Sequence, residues 1–349
     1  MKKILFASFI GLSFIGTSCA TLTKNQVSRL DIIKERGEIK CGVSGQIPGF
    51  SFLKSNGSYS GIDVEICKAI AAAIFGDMNK VQYRRLTAPE RFTALKTGEI
   101  DVLSRNTTLN LTRDSAKGNG ATFAPVVFHD GQGLMVKKES GVKLISQLKN
   151  SNICVGSGTT TEQNINDIFQ ERNIPYTPIK YQDLNQVVTG YLQGRCSAMT
   201  SDKSQLAAAR SGFKKPEDHI ILDETLSKEP LAPASVGGDQ RLSDAIRWII
   251  YALFTAEELN ITKGNIDSKF KLAKENSNLL QLRRLFGIEG NLGDKLGLPN
   301  DFVVSIIRST GNYKEIYDRH LGEKSAVPIP RGLNRSYKDG GLQIAPPFK

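Results

Sequence analysis

Arg113 and Asp202 are the residues of this sequence whose types and settings best suit the capture of a small charged molecule. Arg113 lies in Thr107-Thr-Leu-Asn-Leu-Thr-Arg113-Asp114, just beyond what reads as the end of a strand. A guanidinium in a cleft can grip a carboxylate through two parallel charge-assisted bonds; the plainer alternative is a solvated pair with Asp114. Asp202 stands at the end of another strand, where a carboxylate either receives an ammonium group or caps the helix that follows. Set on facing units, the two describe a clamp for a zwitterion, both of whose charges need compensation once water is removed.

The turn Gly156-Ser-Gly158-Thr-Thr160-Thr-Glu-Gln163 leads from a strand into a helix, with Thr160 and Gln163 at the spacing of a capping box. A helix start preceded by glycine suits an anion. A P-loop would need Gly-Lys-Ser/Thr here, and a dinucleotide fingerprint would need glycine where Thr161 stands, so a small carboxylate fits better than a nucleotide. Catalytic patterns are weaker. Gly42-Val-Ser44-Gly45 lacks the spacing of a nucleophile elbow, and His129-Asp130 has no nucleophile to serve. Glu257-Glu258 read as the solvated face of a helix, and His129, His219 and His320 lack metal-ligand spacing, so no metal site is expected. The formal net charge is +11, yet the basic residues come at most in pairs such as Arg84-Arg85 and Lys214-Lys215, without interleaved aromatic platforms. That pattern argues against nucleic acid.

These residues need elements to hold them. Ile39, Cys41 and Val43 alternate as a strand, and Ile62, Ile66, Ile70 and Ile74 recur at helical spacing, with Asp63 as a cap and Gly76 as a stop. Strands at 81–86 and 100–104 flank a helix containing Phe92 and Leu95 that ends at Gly98. A second region repeats the design: strands at 152–156, 179–181 and up to Met199, with helices at 161–170 and 183–193. Alternating strands and helices imply two α/β lobes with parallel sheets, which bind ligands beyond the carboxyl ends of their strands. Both ends converge on 104–108 in one lobe and on 157–161 and 200–203 in the other. From about Ser235 the pattern is helical, with Trp248 in an apolar stripe, and a Pro- and Gly-rich tail from Val327 is expected to wrap the surface.

Residues 1–20 read as an export leader: Lys2 and Lys3, an apolar stretch from Ile4 to Gly16, then small residues. Cleavage after Ala20 is the favoured reading; acylation at Cys19 is the alternative. Export implies an oxidising compartment, where Cys41, Cys67, Cys154 and Cys196 would form two disulfides, with three pairings open. Their positions favour Cys41–Cys67 in the first lobe and Cys154–Cys196 in the second.

The chain resembles the periplasmic amino-acid-binding proteins of ABC importers, specifically the general L-amino-acid-binding subgroup of solute-binding protein family 3. The stretches that carry the likeness include Gly61-Ile-Asp63-Val-Glu-Ile-Cys67, Glu90-Arg-Phe-Thr-Ala-Leu95, Ser104-Arg-Asn-Thr-Thr108, Gly158-Thr-Thr-Thr-Glu162, Thr200-Ser-Asp202, Ser227-Lys-Glu-Pro-Leu231 and Gly297-Leu-Pro-Asn300. The resemblance implies a type II periplasmic binding protein fold: two lobes, each a doubly wound, mostly parallel sheet with flanking helices, joined by a two-strand hinge. Lobe one would be 30–134 plus 236–349, lobe two 137–231, with crossing strands near 132–138 and 231–237. It implies further that Arg113 takes a ligand carboxylate with Thr108 and Thr160, that Asp202 takes the α-ammonium with Asn106, and that Phe50 forms a pocket wall. Arg105 is either a determinant of acidic or polar ligands or a surface arginine. The implied protein is a periplasmic monomer without cofactor or catalysis. It would hand free L-amino acids to the membrane permease of an ABC importer, driven indirectly by a cytoplasmic ATPase. A secreted dehydratase-like enzyme on the same scaffold and a sensor module are the competing classes.

Overall fold

The computed structural model describes residues 27–349, so the leader and Cys19 lie outside the described residues. Among the described residues no helix is long and apolar enough to cross a membrane. Two larger sheets and one small three-stranded sheet carry the chain.

The first sheet runs in the order 81–85, 39–43, 102–103, 234–236, 121–123. Ile39–Val43 is parallel to both neighbours, whereas Ala234–Val236 is antiparallel to the strands on either side of it. Helix Ile62–Phe75 crosses between 39–43 and 81–85 and ends where Gly76 adopts φ +70°. Helix Arg91–Thr97 ends in the same way at Gly98, φ +78°, a conformation glycine takes without steric cost. Cys41 and Cys67 are joined, tying the central strand to that first helix.

The second sheet repeats this layout. Asn152–Gly156 is parallel to Thr177–Tyr181 and to Ala198–Asp202; Phe128–Lys137 follows antiparallel, and His219–Ile221 forms the edge beyond it. Cys154 and Cys196 are joined within it. Both sequence-based pairings of the cysteines therefore hold.

Two strands pass between the sheets. Phe128–Lys137 and Lys228–Leu231 pair directly, from Phe128 with Leu231 to Gly131 with Lys228. The sequence placed these crossings at 132–138 and 231–237. Instead Gln132–Val136 already pairs with Ala198–Asp202, and Ala234–Val236 already belongs to the first sheet. Burial explains the shift: Leu134, Met135 and Val136 are almost completely enclosed, and the Gln132 side chain donates to Thr161 O and Thr200 Oγ1, both at 2.9 Å.

Helix Gln240–Glu258 buries Ala245, Ile249 and Leu253 against helices Ile62–Phe75 and Phe302–Thr310, the first sheet's main core. Burying each such aliphatic side chain contributes about 1.5–3 kcal/mol. Trp248 lies at the edge of this core, half-buried, with its ring 5.0 Å from that of Phe348 in the tail. The tail is held at further points. Arg331 forms a bidentate pair with Glu257 at 2.7 and 3.1 Å, and Asn334 accepts from the His129 N–H at 2.6 Å. Glu257, expected to face solvent, is thus enclosed beneath the tail at 8% exposure.

Candidate functional site

The carboxyl ends of the parallel strands meet around a cavity of about 50 Å³, lined by Asn106 and Thr108 from the first sheet's side and by Thr160 and Asp202 from the second's. Arg91 and Arg105 share the lining.

Arg113 sits on the short helix Leu111–Asp114, whose cap is Asn110. It is 6% exposed, and its Nη1 donates to Thr108 O at 2.9 Å. Its guanidinium carbon lies 5.5 Å from the Phe92 ring centre. It does not stand among the cavity's lining residues; it reaches the site through Thr108. The local alternative, a pair with Asp114, is not what forms: Asp114 accepts from the Phe123 N–H. Burial lowers the Arg113 pKa, and the charges of Glu229 and Asp202 oppose that shift.

Asp202 is 3% exposed. It precedes helix Lys203–Ser211 yet its side chain makes no capping bond. The Ser204 N–H instead donates to Asp130 Oδ2 at 3.3 Å, from the neighbouring strand. Asp202 accepts from Gln205 Nε2 at 2.7 Å. Burial drives its pKa well above the usual carboxylate range, and the negative charges of Asp130 and Glu229 add to the effect. Asp130 is pushed up to about 6, again chiefly by burial. Among the described residues neither Arg113 nor Asp202 takes part in an ion pair.

Thr160 is not the cap of its helix. Thr159 is, accepting from the Glu162 N–H at 3.1 Å, while Glu162 accepts from the Gly158 N–H at 2.8 Å. The capping pair thus falls one residue earlier than the sequence suggested, which frees the Thr160 hydroxyl to turn inward. There it donates to Glu229 Oε2 at 2.8 Å and lies 3.3 Å from Thr108 Oγ1.

Asn106 has φ +32°, and both polar atoms of its side-chain amide are buried without a partner. Leaving such a group unsatisfied costs about 1–3 kcal/mol. Its backbone N–H supports Asp63, whose carboxyl burial nonetheless raises to about 6. Asp63 is not a helix cap: Gly61 holds that position.

Phe50 does not line the cavity. It is 1% exposed in the main core, its ring edge-on to Phe128 at 5.0 Å, and the same loop reaches the cavity through Ser44 and Ile47. Arg105 is a lining residue, its Nε bonded to Leu86 O at 2.9 Å and its pKa brought down to about 10 by burial. Two further residues escaped the sequence reading. Arg91, 3% exposed, reaches only Thr107 Oγ1, at 3.4 Å, and its Nε has no partner. Burial, followed by repulsion from Arg113 and Arg105, lowers its pKa well below the usual guanidinium value. Glu229, 1% exposed, gathers four hydroxyl and amide donors. Nothing in the local sequence around either residue signals a cavity.

A sequence model of the bacterial extracellular solute-binding proteins, family 3, matches residues 39–323. The chain is 43% identical to the general L-amino acid-binding periplasmic protein AapJ of Rhizobium johnstonii, over the full length of both. It is 41% identical, again over both full lengths, to the glutamate/glutamine/aspartate/asparagine-binding protein BztA of Rhodobacter capsulatus. Among solved structures, an ABC transporter periplasmic binding protein from Brucella ovis with glutathione bound superposes with a TM-score of 0.87 at 40% identity, covering 93% of this chain and all of that one.

Proposed function

The chain belongs to the bacterial extracellular solute-binding proteins, family 3, and on that premise we propose that it captures free L-amino acids in the periplasm for an ABC importer. The observation that carries this reading is a pair of buried groups of complementary chemistry that find no ion-pair partner among the described residues: Asp202 lines the cavity, and Arg113 stands behind its wall, bonded to Thr108 O at 2.9 Å. A zwitterion supplies both missing charges. Its α-carboxylate goes to Arg113, with Thr108 and Thr160, and its α-ammonium goes to Asp202, with the open amide of Asn106. Arg91 and Arg105 face the side chain, a setting that favours acidic or polar ligands.

The two lobes are the chain on either side of the paired crossing segments Phe128–Gly131 and Lys228–Leu231, which serve as the hinge. The ligand binds one lobe first, and contacts from the other shift an open–closed equilibrium towards closure. The closed protein, a monomer exported by its leader, delivers its cargo to the membrane permease and catalyses nothing. Titration calorimetry of the exported chain against the twenty amino acids tests this: heat with at least one supports it, and heat with none overturns it. The Brucella ovis relative's bound glutathione favours a second reading, a γ-glutamyl peptide that presents the same α-amino-acid head. Glutathione in the same titration series decides between them.

A further inference from the structure

Glu229 is a buried carboxylate for which the proposed ligand contacts have no use. Thr108 Oγ1 and Thr160 Oγ1 both donate to its Oε2, at 2.5 and 2.8 Å. Asn164 Nδ2 and Ser227 Oγ donate to its Oε1 at 2.8 and 2.6 Å. All four partners are neutral. A hydroxyl carries a single proton. Once that proton is given to Glu229, Thr108 and Thr160 offer a ligand only lone pairs, and lone pairs repel a carboxylate. The positive field of Arg113 falls on the same acid, which is foremost among the charges that steady it. The hydroxyls that suit a bound amino acid's carboxylate are thus occupied by a carboxylate of the chain itself. These bonds also span the cleft: Thr108 follows the first-sheet strand Val102–Leu103, whereas Thr160 and Asn164 lie on helix Thr160–Glu171 against the second sheet.

We propose that Glu229 is an internal competitor for the ligand: without cargo its carboxylate takes the Thr108 and Thr160 hydroxyls and ties the lobes together, and the carboxylate of an incoming amino acid displaces it. This rests on reading Arg113, Thr108 and Thr160 as ligand contacts. A support that stayed in place during binding would strengthen affinity; a competitor weakens it, and the two make opposite predictions.

The experiment pairs Glu229→Ala with Glu229→Gln, the latter similar in size and neutral. Calorimetry with the amino acid that the wild type binds best should show several-fold tighter binding in both variants. Small-angle scattering of the ligand-free proteins should show a larger radius of gyration than wild type, the tie having been released. Affinity that is unchanged or weaker in a variant melting at the wild-type temperature overturns the competition, and an unchanged radius overturns the tie. Should the alanine variant unfold, the glutamine variant carries both measurements. Arg113→Ala, run alongside, separates the failures. If it binds like the wild type, the ligand assignment falls, and scattering alone then decides the role of Glu229.

Discussion

Thr108, just beyond a first-sheet strand, and Thr160, at the start of a helix packed on the second sheet, place their hydroxyl oxygens 3.3 Å apart. Residues 52 positions apart, held by elements of the two sheets, are in contact here across the cleft between those sheets. On the proposed mechanism this is the closed arrangement, and the residues around the contact are those whose loss should be felt in ligand binding.

Arg113→Ala should weaken amino-acid binding by at least roughly 30-fold, since removing one partner of a buried, hydrogen-bonded charge pair costs about 2–5 kcal/mol. Circular dichroism should show an intact fold, because Arg113 makes no ion pair and anchors only the Thr108 carbonyl. Calorimetry gives the number; a change of less than threefold would show that the carboxylate is held elsewhere.

Asp202 links binding to protons. Its folded pKa is raised, first by burial and then by Asp130 and Glu229, with Arg91 opposing. In the ligand-free protein it retains a proton at pH values where an exposed aspartate has lost it. An ammonium group favours the ionised form, so binding should release protons, and affinity should rise with pH through the range where Asp202 titrates. Calorimetry at slightly acidic pH, in two buffers of different ionisation heat, measures the release directly. Asp202→Asn should abolish it and weaken binding.

Serine replacement of either cysteine pair should cost about 3–4 kcal/mol on loop-closure grounds, for loops of 26 and 42 residues. Urea titrations of the two variants check this. Because none of the four cysteines lines the Asp202 cavity, ligand affinity measured well below the midpoint should stay within about twofold of wild type.

Glu65 should mark the acid limb of the stability profile. Burial works against its charge, but the His320 ring 3.7 Å away and the charges of Lys68 and Arg319, which donate to it at 3.1 and 2.8 Å, prevail and bring its pKa down to about 2. A depressed folded pKa contributes stability that is complete above the unfolded value of 4.5 and disappears as pH falls towards 2. Asp63, two residues away, acts in the opposite sense. Burial lifts it from 3.8 to about 6, so its ionisation costs stability as pH rises across that interval. Glu65→Gln should lower the melting temperature at pH 7 and flatten the decline below pH 4.5. Asp63→Asn should remove part of the loss between pH 4 and 6.

The sequence made the alternating elements readable because their signals are local. Period-2 strands such as Ile39–Val43, period-3.6 helices such as Ile62–Phe75 and glycine stops at Gly76 and Gly98 all occupy a single short window. The cysteine pairings followed from the same elements. Errors arose where neighbouring residues compete for one role. Three consecutive threonines offer three possible caps at 159–161, and only packing decides that Thr159 takes it. Asp202 likewise has the form of a cap, but Asp130, from a strand 72 positions earlier, accepts from the Ser204 N–H in its place, and Asp202 accepts from Gln205 instead. Phe50 has an aromatic side chain in the expected loop, and nothing local told its ring to turn into the core against Phe128 rather than into the cavity. Glu229 was invisible for the most basic reason: its partner Thr108 lies 121 positions away, and their meeting depends on both sheets being assembled.

Neither disulfide crosses the cleft. Cys41–Cys67 fastens a strand to a helix within the first unit, and Cys154–Cys196 joins two segments within the second. Oxidation therefore stiffens each shell and leaves the mouth unlocked, so a change in ambient thiol balance alters how long a molecule lasts rather than how often it opens for cargo. Durability and gating are governed by separate bonds, and either can be engineered without disturbing the other.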